Sequence, residues 1–359
     1  MTQADQLRRV GAESLAPTRR GVHLARSILQ RVFWLGVVLW ATVTLTFFLS
    51  RVVPADPARL AAGLQAGPEQ VAEVRRVLGL DQPLSVQYLE YIAGLLRFDF
   101  GRSIQTRGPV LDDLLVYLPA TLELVVLAAI GFSVIGIGLG VVWAVWPRGI
   151  HSVPIRLIAV TGVAVPVFWI GLVLQIVFAS RLGWFPIAGN LNYDAFGVPL
   201  ITGASTIDAL LAGDLAAFRS AVRHLVLPVT ALVIGQLALA TRLTRASLAA
   251  ELQRPYVRSA RARGVAERRI VLVDALRNAL NPVVTMLALQ FGWLLGGSVL
   301  IEVVYSYPGL GLYAFNAFRT FDYNPIMGMT IVVTVAFVLV NELTNSLYPV
   351  LDPRLRDRP

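Results

Sequence analysis

Residues 254–282, RPYVRSARARGVAERRIVLVDALRNALNP, lie between two membrane-length apolar segments and decide how the chain is read. A loop that only joined two spans could be short and polar. This one is long, basic and patterned: Tyr256–Arg263 and Glu267–Leu280 read as two helical pieces divided by Gly264. Glycine tolerates the left-handed conformation that ends one helix before another starts. Tyr256, Val257, Ala260 and the Ala262–Gly264 corner form an apolar ridge between Arg258, Arg261 and Arg263. Such a ridge fits a groove on a soluble partner whose acidic rim meets the arginines.

Working outward, the 359 residues are 56% hydrophobic and only 15% charged, the composition of an integral membrane protein. Cysteine is absent, which excludes a disulfide framework, a cysteine zinc site and a thiol nucleophile. All 31 basic residues are arginine. Without lysine the chain cannot form the phosphate-binding loop GxxxxGK[ST], so if it does active transport the energy arrives from another subunit or an ion gradient. The net charge of +9 sits beside apolar spans, where arginine signals topology rather than nucleic-acid binding.

A bilayer-crossing helix needs about 20 mostly apolar residues. Six segments qualify: 32–50, 120–146, 155–180, 225–247, 282–304 and 326–350, flanked by breakers such as Pro54, Pro119, Pro147, Pro282 and Pro325. The first is too long and too late for a cleaved signal peptide and reads as an anchor. Residues 242–277 hold nine arginines against Glu251, Glu267 and Asp274, and the 1–31 tail is also basic. Loop 51–118 has seven arginines against eight acidic residues, and loop 181–224 has three of each sign. The arginine bias predicts that both termini and loop 248–281 face the cytoplasm, with 51–118 and 181–224 outside.

The expected organisation is therefore a disordered basic tail (1–31, with 1–27 lacking any apolar period), the first span, a helical cap over 51–118, a core over 119–350 and a short tail over 351–359. In the cap, Val71, Val74 and Leu78 have helical spacing ending at Gly79, and Leu84–Phe98 reads as a second amphipathic helix.

No catalytic, cofactor or metal site is expected. His23, His151 and His224 are scattered, and HExxH is absent. Glu123 and Glu302 sit within about a turn of the outer surface, where a carboxylate reaches water or bonds to a neighbouring helix. No span has a clear midplane carboxylate, which disfavours an ion-coupled carrier or channel without removing it. Pro166 and Gly292, Gly296 and Gly297 predict kinks or close helix approaches.

The loop resembles the cytoplasmic EAA-type loop of ABC-importer permeases in Ala260, Ala262, Gly264 and Pro282, although the acidic residue of the namesake triplet is missing. Other motifs resemble the dipeptide/oligopeptide/nickel permease family, in its first-permease, OppB/DppB-like type. They are RVVPADPARLAAG (51–63), GLDQPLSVQYLEYIAGLLRFDFGRSI (79–104), LPATLEL (118–124), GWFPIAG (183–189), RNALNPVV (277–284), VYSYPGLG (304–311) and YPVLDPRLR (348–356). Ala55 stands where glycine is common, and Phe98 replaces the usual glycine before Asp99. The resemblance implies an all-α type I importer permease in a bacterial cell membrane. It also implies a second permease, two ABC ATPases and an extracytoplasmic solute-binding lipoprotein as partners. On that resemblance Tyr256, Val257, Arg258, Ala260, Arg261, Ala262, Arg263 and Gly264 form the coupling helix. The cargo it implies is a di- or oligopeptide, a nickel chelate or a related solute.

Overall fold

The computed structural model describes residues 16–52, 57–63, 65–77, 79–150, 152–191 and 197–351. Among them the regular structure is helical, apart from one antiparallel bridge between Arg102 and Pro109. Two compact units divide the chain after Pro54.

The first unit is the helix α1, Ala16–Val52, whose Leu29–Ser50 part is apolar enough to cross a bilayer. The helix begins at Ala16, within the segment expected as a basic tail, and residues 1–15 lie outside the described residues. A span already supplies the nucleus, and extending it through Ala, Leu, Arg and Gln costs no second one.

The second unit begins with three short helices, α2 (Pro57–Ala62), α3 (Pro68–Val77) and α4 (Leu84–Leu95). Residue 78 lies outside the described residues, and Gly79 takes φ +63°, as a helix-ending glycine should. Neither α3 nor α4 buries a side chain, so Leu84, Leu89, Leu96 and Phe98 stay exposed. Phe98 itself has φ 59°, the conformation for which glycine is the usual residue.

The bundle follows as α5 (Val110–Val145), α6 (Ser152–Ala164), α7 (Val167–Leu174, continued as a π-helical turn to Arg181), α8 (Ser205–Leu211) and α9 (Leu215–Glu251). It closes with α10 (Pro255–Ala262), α11 (Glu267–Val304), α12 (Leu310–Arg319) and α13 (Tyr323–Leu351). Residues 352–359 lie outside the described residues. Among the described residues, five helices are long and apolar enough to span: α1, α5, α9, α11 and α13. The remaining expected segment, 155–180, breaks at Pro166, which takes an extended ψ of 136°. Pro119, Pro228 and Pro282, by contrast, lie inside helices. Pro119 and Pro282 therefore do not mark helix ends. A membrane helix tolerates proline where neighbours satisfy the freed carbonyl.

The core centres on α5 and α9, with α11 alongside. Glycines set their separation. A Cβ on Gly136 would lie 2.5 Å from Ala240 Cβ, and one on Gly140 would lie 2.8 Å from the Thr241 carbonyl oxygen. On α11, Gly292 meets Phe337 closely, whereas Gly296 and Gly297 face open space.

Candidate functional site

Helix α10 forms between two conformational stops. Arg254 is extended at ψ 150° and Pro255 opens the first turn, where its missing N–H costs nothing. At the other end Gly264 takes φ 75°, its N–H donates to Arg261 O at 3.0 Å, and Val265 N–H donates to Ala260 O at 3.2 Å. This is a glycine-closed helix end.

The apolar side of α10 faces its own chain. Val257 and Ala260 are buried with Ile270, and Val265 packs over them. The expected ridge for a partner's groove therefore does not include these two residues. Eight residues of helix cannot bury a stripe by themselves, and the covering side chains arrive only after Gly264. Tyr256, Arg258, Ser259, Arg261, Ala262, Arg263 and Gly264 are exposed. Full burial of the Val257 side chain is worth about 1.5–3 kcal/mol.

Polar braces fix the hairpin to both flanking helices. Arg261 donates to Glu267 through Nε at 3.0 Å and Nη2 at 2.5 Å, a two-pronged pair. That hydrogen-bonded pairing raises the Arg261 guanidinium above its ordinary value. The Tyr256 hydroxyl donates to Glu251 at 3.0 Å and accepts from Asn278 Nδ2 at 3.3 Å. Burial pushes the Tyr256 phenol up, and the Asn278 hydrogen bond opposes it.

The second helical piece is not separate. It opens with one turn at Glu267–Arg269, passes a π-helical stretch at Ile270–Ala275 and runs through Pro282 to Val304. Val271, Ala275 and Ala279 pack with Leu248 of α9, and Val141 and Val145 of α5 lie against them. A displacement of α10 thus meets a packed junction of α5, α9 and α11.

The opposite end of the bundle holds a network that the sequence reading missed. Glu302 is fully buried and Glu123 nearly so, and of the two expected settings, water or a bond to a neighbouring helix, both take the second. Glu123 accepts from the N–H groups of Ser205 and Thr206, from the Thr206 hydroxyl and from the Tyr307 hydroxyl. Glu302 accepts from Thr121, Ser298, Gly311 and Leu312. Asp322 accepts from Ser103, Ile104 and Gln105. The signal available was the glycine pair of VYSYPGLG, which leaves room for a carboxylate. His224 is buried and contacts Ser220 O, a structural place, while His151 lies outside the described residues.

Two family models cover this architecture. Residues 136–357 match the binding-protein-dependent transport system inner membrane component, and residues 24–125 match the N-terminal part of such membrane components. The chain belongs to this family. The "Probable D,D-dipeptide transport system permease protein DdpB" of Escherichia coli (strain K12) is 40% identical over 327 residues, 91% of this chain and 96% of that protein. The di/tripeptide transport system permease protein DppB of Pseudomonas aeruginosa is 37% identical over 92% of this chain and 98% of its own. The glutathione transport system permease protein GsiC of Salmonella choleraesuis is 34% identical, with the same two coverages. A solved chain of the MetNI methionine ABC transporter, inward facing, superposes with a TM-score of 0.50 at 16% identity. It covers 67% of this chain and 96% of that one.

The protein is thus a multi-pass membrane permease of the ABC importer class, with the type I importer permease fold. It works with an ATPase and a binding protein, as its family does. The ion-coupled carrier or channel is set aside by this membership.

Proposed function

We propose that this permease imports di- or oligopeptides or closely related small solutes, handed over by an extracytoplasmic solute-binding lipoprotein. It pairs with a second, homologous permease in the lipid bilayer, and two ABC ATPases beneath the pair hydrolyse ATP, with no catalytic residue in this chain. Both termini and the arginine-rich end face the cytoplasm, and residues 51–118 and 181–224 face out. The peptide class is supported by relatives at 37–40% identity whose names specify dipeptide and di/tripeptide transport.

Helix α10 is the point at which ATPase motion enters the permease. The observation that carries this reading is its clamping: an exposed basic face held by a buried Val257–Ala260–Ile270 keel and the Arg261–Glu267 pair. Arg258, Ser259, Ala262 and Arg263 form the contact face, while Val257 and Ala260 hold it and Gly264 closes it. Nucleotide-driven closure of the ATPases would press on this face and switch the pathway between two global states.

The test is reconstitution of the four-subunit complex with its binding protein in proteoliposomes, with ATP hydrolysis and cargo uptake measured together. Gly264→Pro and Arg261→Glu should leave hydrolysis in place and cut uptake about tenfold or more. Normal uptake in both variants would refute the coupling role. Mass spectrometry of ligands carried by the binding protein tests the peptide class, which an inorganic chelate as sole ligand would overturn.

A further inference from the structure

We propose that Glu302 is a positioning residue for transport. It bolts the outer turn and helix of Tyr305–Arg319 to the end of α11, so that docking of the binding protein reaches α10 through one continuous helix. The inference rests on the coupling role and membrane orientation proposed above.

The geometry begins with the carboxylate. Glu302 is fully buried. One oxygen accepts from the Thr121 hydroxyl at 2.9 Å and the Ser298 hydroxyl at 3.2 Å. The other accepts from the N–H groups of Gly311 at 2.7 Å and Leu312 at 3.1 Å, at the N-terminus of α12. Four donors converge on one acceptor, and an amide in its place would point its own N–H groups at some of them. A carboxylate's hydrogen bonds are roughly twice as strong as neutral ones, and a helix N-terminus favours the negative charge.

The backbone is cut to fit this carboxylate. A Cβ on Gly309 would lie 2.5 Å from both Glu302 Oε2 and Thr121 Oγ1, and one on Gly311 would lie 2.5 Å from Val299 Cα. Only glycine lets the turn close over Glu302.

Three outer segments then hang on this point. The Tyr305 hydroxyl donates to Gly171 O at 2.8 Å and Gly189 N–H donates to Tyr305 O at 2.9 Å, which ties in α7 and the 183–189 turn. The Tyr307 hydroxyl donates to Glu123 at 3.1 Å, and Glu123 also holds the N-terminus of α8. Beyond α12, Asp322 holds residues 103–105. These segments also have apolar anchors, Ile170 and Phe185 against the main core and Leu310 and Tyr313 beside Val110 and Leu114, so each end holds its own shape. Helix α11 runs from Glu302 through Pro282 and its π-helical stretch to Glu267 and Ile270, where α10 is clamped. Force applied outside therefore has a continuous helical route to the coupling helix. Breaking the bolt should leave both ends intact and their communication lost.

The experiment uses the full complex in proteoliposomes and measures ATP hydrolysis against increasing concentrations of loaded binding protein. The unaltered complex should be stimulated, and if it is not, the proposed function itself fails. With Glu302→Gln, basal hydrolysis should persist while maximal stimulation falls about fivefold or more. Unchanged stimulation would overturn the inference. So would an unchanged maximum reached only at higher binding-protein concentration, which would mean weakened docking. If Glu302→Gln does not insert, Thr121 decides: Thr121→Val should lose stimulation and Thr121→Ser should keep it. Equal behaviour of those two variants would overturn the bolt.

Discussion

Gly264 carries φ 75°, yet nothing lies within 4 Å of a Cβ added there. Gly264→Ala therefore adds backbone strain alone, about 1–2 kcal/mol, without a clash. The hairpin should open more often, and trypsin should cut faster after Arg261 and Arg263 in the purified complex. An unchanged cleavage rate would show that the left-handed turn is not what closes α10. Val257→Asp goes further, because it places a carboxylate among Ile270 and Val265 with no partner. Cleavage at the same sites should rise well beyond the Gly264→Ala level, and equal cleavage would contradict the keel. Gly264 was legible in the sequence because a helix stop needs it. The direction of the Val257–Ala260 stripe was not, because its cover comes from residues beyond the turn. Glu302 was legible only as a costly polar group near a span's end. Thr121 comes from a distant part of the chain, and Gly311 and Leu312, a few residues on, return to Glu302 only because the 305–309 turn reverses the backbone.

At the scale of elements, the separation of α5 from α9 depends on particular glycines. Gly136 and Gly140 face α9 directly, while Gly138, on the same helix, meets nothing within 4 Å. Gly140→Leu should prise the helices apart, costing about 1–3 kcal/mol or more and lowering the melting temperature of the purified complex. Gly138→Leu serves as the matched control and should melt as the unaltered protein does. Equal melting of the two variants would contradict the close approach. The loop before α8 is held differently. Burial pushes the Asp208 carboxyl up, but hydrogen bonds from Thr202, Gly203 and Ile201 outweigh it and hold it below the ordinary value. A depressed carboxylate stabilises the loop above its unfolded-state value and loses that contribution as pH falls through the folded one. Amide exchange over 200–204, corrected for intrinsic rates, should stay protected from neutral pH down into the ordinary carboxylate range and rise only below it. Loss of protection already at the ordinary aspartate value would contradict this. Among elements, the apolar runs were readable as spans, because about 20 such residues leave few alternatives. Which proline breaks a helix was not: Pro166 interrupts its span, while Pro119, Pro228 and Pro282 sit within theirs. The outcome depends on neighbours that satisfy freed carbonyls, not on proline itself.

For the whole molecule, two ends with different chemistry are joined by α11. The arginine-rich end presents a short clamped helix, and the opposite end presents loops tied down by Glu123, Glu302 and Asp322. Family membership supplies the setting, a permease that works with an ATPase and a binding protein. The absence of lysine already pointed to borrowed energy, and α10 is where this account brings that energy in. The natural chain has no cysteine, so a single introduced thiol reports on one place. Ser259→Cys stands on the exposed face of α10, and Leu300→Cys is exposed on α11 near the opposite end. The measurement is thiol-to-amine crosslinking of each variant within the assembled complex, with the captured partner identified by mass. Ser259→Cys should capture an ATPase subunit, in a yield that changes with nucleotide, and Leu300→Cys should not. An assembled, ATP-hydrolysing complex in which Ser259→Cys captures no ATPase would contradict the coupling role of α10.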